Sequence, residues 1–448
     1  MSEEYDLIVI GSGAASVAAK TCADAGWAVA VVDSRPFGGT CALRGCIPKK
    51  VYYAGAQAMD WVYRMSGKGI DSGSVQVNWS DLQEFKRSFT KPVPEQTEEW
   101  LRNAGITPIS GRAHFKDEKT IEVNGKEYSA RKYLIAAGSR PRPLDIPGSE
   151  HLVTSDEFLE LEELPERIVC AGGGYISMEF AHIAARAGVQ VTILHRNERP
   201  LPFFEPEILD LLLQTSGEVG IDIHLNTEVI SVLQNENQFI VKGDRDGKIE
   251  EYPADLVIHG AGRVPDIADM RLENAGVEFD QKGIIVNRYL QSQSNHDVYA
   301  AGDAAESGPP LTPVATMEGH IAGKNLIQGN QAIPDYTVIP TVVFTLPPVA
   351  SVGLKEATAE ELQLDYTVRQ GDTSDWVTSR RENERHSGFK ILVEEGTDHI
   401  LGAHLFGPEA HEVINIFALA MEHNITAASL KEMVYTYPTS SSDIPAYL

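Results

Sequence analysis

The chain has 448 residues, of which 42% are hydrophobic and 23% charged. These are ordinary globular values that exclude a disordered chain, and the length suggests about three domains. With 38 basic against 64 acidic side chains the formal net charge is −26, which disfavours nucleic acid and anionic membrane surfaces as partners.

The N-terminus, Met1-Ser2-Glu3-Glu4-Tyr5-Asp6, leads straight into an apolar stretch, with no basic region ahead of a signal-like core. No apolar run reaches the length of a membrane span. A cytoplasmic protein is therefore expected. Residues 6–10 (DLIVI) predict a buried strand. Gly11-Ser12-Gly13-Ala14-Ala15-Ser16 follows, then an alanine-rich helical stretch to Gly26 and a second strand over 28–32, ending at Asp33. This β-turn-α-β unit fits the dinucleotide fingerprint, with Ser16 in the third glycine position. Gly11 permits the tight turn, and Gly13 lets backbone approach a pyrophosphate. The helix start faces the phosphates with its positive dipole end, and Asp33 stands where a carboxylate accepts from a ribose diol.

Next comes Gly38-Gly39-Thr40-Cys41-Ala42-Leu43-Arg44-Gly45-Cys46-Ile47-Pro48-Lys49-Lys50. Two cysteines five positions apart beside a dinucleotide site can close a small, easily reduced ring. Lys49 and Lys50 are expected to lower the thiol pKa values. Half of a zinc site is the alternative, but zinc prefers tighter spacing and needs two more ligands, so no metal site is expected. Cys22 and Cys170 lie inside helix and strand patterns and read as buried filler. In a cytosolic enzyme a close cysteine pair points to redox chemistry rather than to a staple.

Residues 133–138 read as a short strand, and 139–148 (SRPRPLDIPG) as a proline-rich crossing between domains. The acidic run 155–166 reads as a solvated helix face. A second dinucleotide unit then follows. It has a strand over 167–171, Gly172-Gly173-Gly174-Tyr175-Ile176-Ser177, a helix through Ala187 and a strand over 190–194. Two complete units make a chance glycine turn improbable and predict two bound dinucleotides. Residues 262–266 (GRVPD) mark the return crossing. A loop-rich passage over 328–340 precedes a last block with strands over 390–393 and 400–406 and a helix over 408–423. The expected domains are 1–149, 150–267, 268–336 (completing the first) and 337–448.

Together these motifs resemble the flavoprotein disulfide reductases, the family of glutathione reductase, dihydrolipoamide dehydrogenase and mercuric reductase. GGTCALRGCIPKK is similar to the family's redox-active disulfide motif, and GGGYISME to its nicotinamide-dinucleotide motif. YAAGD ending at Asp303, LTPVA starting at Leu311 and YLIAAG ending at Gly138 match three further segments. The resemblance covers essentially the whole chain. It implies an α/β fold with two Rossmann-like domains, for FAD and NAD(P), and a C-terminal α+β dimerisation domain. It also implies a homodimer with active sites shared between subunits.

For FAD the resemblance implies Gly11, Gly13, Ala14, Ala15, Asp33, Ser34, Gly39, Thr40, Lys50, Ala137, Gly138, Gly302, Asp303, Leu311, Thr312 and Pro313, with Asp303 on the ribityl chain. For the coenzyme it implies Gly172, Gly174, Tyr175, Ile176, His195, Arg196, Arg199, Gly262 and Arg263. Tyr175 would cover the nicotinamide pocket. Cys46 would face the flavin and Cys41 would be the outer thiol that attacks substrate. Lys49 would sit near flavin N5 and pair with Glu179. NADH-dependent members favour a carboxylate after the second strand of the coenzyme unit. Here that position is His195, and Arg196 and Arg199 can clamp a 2′-phosphate, so NADPH is expected ahead of NADH.

The pattern breaks near the C-terminus. Thiol-directed members carry a His-Pro pair with a glutamate that orients the histidine. Here the stretch has Tyr437-Pro438, with Ser442 at the glutamate position and Asp443 one residue further on. A phenol titrates near ~10 against ~6.5 for imidazole, so Tyr437 is a proton donor and a poor base at neutral pH. Glutathione is disfavoured for this reason, and because Thr21 and His320 stand where glutathione reductases hold substrate with arginines. The expected function is NADPH-to-FAD-to-Cys41–Cys46 electron transfer, ending on a small disulfide or thiol-reactive electrophile. A soft-metal-ion or quinone reductase is the alternative. A standard mercuric reductase is not expected, because the C-terminal cysteine pair and N-terminal metal-binding module of those enzymes have no counterpart here. A non-catalytic redox sensor has no supporting feature.

Overall fold

The computed structural model of the chain describes residues 3–236 and 238–448, which form two compact bodies. The first comprises residues 1–50, 84–143 and 262–336, the second 51–83, 144–261 and 337–448.

The first body is built on a seven-stranded sheet. Its parallel part runs Thr107–Ser110, Val29–Asp33, Glu3–Ile10, Lys126–Ile135, with Val298–Ala300 beside the end of the last. Leu7, Ile8 and Val9 are fully buried, as a parallel strand covered on both faces requires. The predicted dinucleotide unit is present as strand Glu3–Ile10, a 3-10 turn Ala14–Ser16, helix Val17–Asp24 and strand Val29–Asp33. The short strand expected at 133–138 is the end of a ten-residue strand. Helix Thr312–Gln328 lies against the turn and helix of that unit. It comes so close that a Cβ on Gly319 would stand 2.4 Å from the Ala15 carbonyl oxygen, and one on Gly323 would stand 3.1 Å from Thr21 Cβ. The proline-rich crossing and its return pair with each other, as antiparallel strands Ser139–Pro141 and Arg263–Pro265.

The second body holds a parallel sheet in the order Ile221–His224, Gln190–Leu194, Arg167–Ala171, Leu256–His259, Leu152–Val153. Residues 167–171 and 190–194 are strands with the expected bounds, and helix Tyr175–Arg186 joins them. The last block is a five-stranded antiparallel sheet, Thr341–Val343, Val349–Gly353, Ile400–Phe406, Gly388–Glu394, Tyr366–Asp372, packed on helix Ala410–Glu422. The acidic run departs from expectation. Only Ser155–Phe158 is helical, started by a capping box between Thr154 and Glu157. Phe158 and Leu159 are buried in the core, so this part of the run is not a solvated face.

No hydrophobic pattern announces that Lys390 is a buried cation of this body. Lys390 is 1% exposed, and its Nζ lies 3.1 Å from Glu205, 3.0 Å from Glu207 and 2.5 Å from Glu356. Burial alone pulls its pKa down, but the three carboxylates outweigh burial and hold it above the usual lysine value. Among the described residues no helix is long and apolar enough to cross a membrane.

Candidate functional site

The dinucleotide cradle of the first body is shaped by glycines. Gly11 has φ +107°, and a Cβ there would lie 2.2 Å from the Ala136 carbonyl oxygen. A Cβ on Gly39 would lie 2.4 Å from Gly13 Cα. The loop and the cysteine segment thus meet backbone to backbone, which a side chain on either would prevent. Asp33 braces this loop. Its Oδ2 accepts from the Ser12 amide at 2.8 Å and from the Ser12 hydroxyl at 2.6 Å, and its Oδ1 accepts from the Arg35 amide at 2.9 Å. Ser12 Oγ accepts in turn from the Gly38 amide at 3.0 Å.

Cys41 lies in the short helix Gly39–Arg44, and Cys46 begins the long helix Cys46–Arg64. The cysteines are in the reduced form, with Cys41 half-buried and Cys46 exposed. The hydroxyl of Thr312, the first residue of helix Thr312–Gln328, reaches both sulfurs of the pair. It lies 3.5 Å from Cys46 Sγ and is also hydrogen-bonded to Cys41. The Cys41 pKa is pushed well above the usual thiol value by its hydrogen bond to Cys46 and by burial, with Thr312 working the other way. At Cys41 the expected lowering by Lys49 and Lys50 is therefore overridden. The hydrogen bond between the two sulfurs and burial outweigh it. Burial pushes the Cys22 and Cys170 thiols up to about 12, in keeping with inert filler.

Ala15 is buried, while Ala137 and Gly138 sit where the long sheet strand ends. Ser34 and Thr40 are exposed at the mouth of the glycine loop, with Ala14, Lys50, Leu311 and Pro313 also in this body. Asp303 follows Gly302 in a one-turn 3-10 helix and accepts from Ser139 Oγ at 2.7 Å. Ser139 Oγ accepts from Arg263 Nε at 2.9 Å, and Arg263 Nη2 donates to the Ser139 carbonyl at 2.5 Å. Gly262 and Arg263, expected at the coenzyme, therefore belong to the first body, where Arg263 ties the paired crossings to the Asp303 turn.

In the second body Gly172 has φ +100°, with the Gly260 carbonyl oxygen 2.6 Å from where its Cβ would be. Gly174 precedes the helix that Tyr175 and Ile176 begin, and Tyr175 is 51% exposed. His195 Nδ1 accepts from the Gly173 amide at 3.1 Å, which leaves Nε2 to donate to the Arg199 carbonyl at 2.8 Å. This repeats the contact of Asp33 with Ser12 in the first unit, with a neutral ring in place of a carboxylate. Burial holds the His195 pKa below its ordinary value, and the Arg196 charge adds to that. Arg199 differs from expectation. Its guanidinium is occupied by Asp210 and by the Pro206 carbonyl at 3.1 Å, so of the two arginines Arg196 is the exposed one.

Glu179 is buried, and its Oε1 accepts from the Phe344 amide at 2.9 Å. Lys49 belongs to the other body. Tyr437 is 77% exposed. Asp443 is turned toward the protein rather than left in solvent. It bonds the Thr378 hydroxyl, and burial raises its pKa.

Comparison with known proteins agrees with this geometry. Residues 5–319 match the family described as pyridine nucleotide-disulphide oxidoreductase, and 339–446 match the dimerisation domain of the same family. Glutathione reductase from Nostoc sp. is 32% identical, the alignment covering 99% of both chains. Mercuric reductase from Staphylococcus aureus is 31% identical over 98% of this chain and 81% of that one. Among solved structures, a Cu(II) complex of a cysteine variant of the HOCl-induced flavoprotein disulfide reductase RclA from Escherichia coli superposes with a TM-score of 0.89. It is 27% identical, with 100% of this chain and 99% of that one covered. A redox cysteine pair beside one dinucleotide cradle, a second cradle and a matched dimerisation domain have one common explanation: the chain belongs to the class I pyridine nucleotide-disulfide oxidoreductases, FAD-containing oxidoreductases that use a pyridine nucleotide.

Proposed function

We propose that this enzyme passes electrons from NADPH through FAD to the Cys41–Cys46 pair and from there to a small thiol-reactive electrophile. The observation that carries the reading is the Thr312 hydroxyl, within reach of both sulfurs at the start of a 17-residue helix. The close backbone approaches at Gly11, Gly13 and Gly39 fit a dinucleotide lying across the first unit. Bound FAD supplies hydride acceptance and two-electron reduction of the disulfide.

The remaining chemistry belongs to the cysteines. Reduction of Cys41–Cys46 takes up two electrons and two protons and leaves two thiols. Cys41 then loses its proton and attacks the acceptor. With a disulfide acceptor, a mixed disulfide forms and one thiol leaves. Cys46 attacks Cys41, the second thiol leaves, and the ring closes. The raised Cys41 pKa makes the first proton loss the demanding step, and Tyr437 offers a donor rather than a base. That combination suits acceptors that draw the thiolate strongly.

For the coenzyme, the neutral His195 stands where the other unit has a carboxylate. A 2′-phosphate therefore meets no negative charge there, and Arg196 is available to pair with it. The matched dimerisation domain supports a homodimer in which Tyr437 serves the partner's cysteines.

A second reading is reduction of a soft metal ion, favoured by the Cu(II) complex of the RclA neighbour. Its balance is two thiols plus two Cu(II) giving one disulfide, two Cu(I) and two protons. It uses the same sulfurs.

Anaerobic titration with NADPH is the decisive test. A long-wavelength absorbance band after two electrons is expected, and Cys41→Ser should cut turnover by roughly 10³-fold or more. Bleaching of the flavin alone, with turnover kept in Cys41→Ser, would sink the thiol route. Trials with disulfides and with Cu(II) then separate the two readings.

Thr312→Val should move the acid-side, rising limb of the oxidative half-reaction to higher pH. The hydroxyl lowers the Cys41 pKa, so its loss raises it, and Thr312→Ser should restore the profile.

Arg196→Ala should raise the KM for NADPH about tenfold, the loss of one charge-assisted hydrogen bond, with little change for NADH. Equal effects on both coenzymes would remove Arg196 from the phosphate.

Tyr437→Phe should slow reoxidation by the acceptor by on the order of 10²-fold while leaving reduction by NADPH intact, as stopped-flow absorbance would record.

A further inference from the structure

Glu318 is 1% exposed, in the second turn of helix Thr312–Gln328. Its carboxylate is met by three hydrogen-bond donors of the chain itself. Oε2 accepts from the Gly302 amide at 2.6 Å. Oε1 accepts from the Gly308 amide at 3.2 Å and from the Tyr336 hydroxyl at 2.6 Å. A buried charge satisfied only by neutral donors is costly unless each is well placed, so the arrangement is geometrically demanding.

The two amides stand at opposite ends of the segment 302–308, which carries Asp303 and leads toward Thr312. One carboxylate thus fixes both ends of the turn. Tyr336 is itself held, because its ring fills the space over Gly308, where an added Cβ would lie 2.2 Å from Tyr336 Cε1. The hydrogen bond to Glu318 and the burial of the ring push the Tyr336 pKa up, so the phenol stays a donor across the working range.

We infer that Glu318 and Tyr336 are a positioning pair for the flavin site. They hold the Asp303 turn, and with it the start of the Thr312 helix, in the form that retains FAD. The inference rests on FAD occupying the first dinucleotide unit. Neither residue touches the reacting atoms, and neither belongs to a recognisable motif. Asp303 needs this support because its own carboxylate is shared with Ser139.

The test uses the purified holoenzyme and the variants Glu318→Ala, Glu318→Gln, Tyr336→Phe and Gly308→Ala. The rate of FAD release is read from the rise in free-flavin fluorescence, and Tm is measured with and without FAD. Glu318→Ala removes all three acceptor contacts and should speed release at least about tenfold, the equivalent of a single charge-assisted hydrogen bond. Glu318→Gln keeps one carbonyl acceptor and should fall between Glu318→Ala and the unchanged enzyme. Tyr336→Phe and Gly308→Ala should resemble each other, since each removes the same phenol contact. The Tm gained on adding FAD should shrink, while the Tm of the FAD-free protein stays close to that of the parent. A merely structural brace would lower both Tm values together, and that result would overturn the inference. Release at the parent rate in both Tyr336→Phe and Gly308→Ala would overturn it as well, even if Glu318→Ala does not fold. Absence of the long-wavelength band in the parent enzyme would count against the thiol mechanism but would leave this comparison of FAD release standing.

Discussion

The close contact between helix Thr312–Gln328 and the first dinucleotide unit is the constraint on which the redox site depends. Two glycines four residues apart, Gly319 and Gly323, let the helix lie directly on Ala15, Ala18 and Thr21. Residues four apart share a helix face, so this pair makes a flat strip without side chains. The other features of the helix inherit their positions from that strip. Thr312, at its start, reaches the sulfurs. Glu318, one residue before the first glycine, reaches back to the Asp303 turn. The glycine loop, the thiols and the Asp303 turn are thereby referred to one element.

The two dinucleotide units solve one local problem with different chemistry. Each has an amide at the middle of its glycine loop that must be satisfied from the end of the second strand. Asp33 does this as a charged acceptor for Ser12, and His195 does it as a neutral acceptor for Gly173. The imidazole keeps the loop braced without placing a negative charge at the end of the strand. The departure of Arg199 from its expected role follows from the same locality. Asp210, on the next helix, is near enough to take its charge.

At the cysteines, burial and mutual hydrogen bonding set the Cys41 proton rather than the lysines that follow in sequence. Sequence proximity overstated the influence of Lys49 and Lys50. Electrostatic effects fall with distance and with solvent screening, while a hydrogen bond between the sulfurs acts at contact. In the C-terminal segment Tyr437 is exposed, while Asp443 is held by the Thr378 hydroxyl.

The sequence by itself determined the family, the α/β class, the two glycine-loop units and the cysteine pair. These are local patterns, in which strand periodicity, glycine spacing and residue identity lie within a few tens of positions. Strands 167–171, 190–194 and 400–406 were legible for that reason. Tertiary structure alone decided the rest. Phe158 and Leu159, inside the acidic stretch, are buried in a core assembled from distant segments. Lys390 is buried because Glu205, Glu207 and Glu356 converge on it from other elements. Thr312 meets cysteines 266 and 271 residues away in the chain, and Glu318 meets Tyr336 across a loop. No periodicity encodes such contacts, because they depend on which faces meet after the sheets and helices have packed.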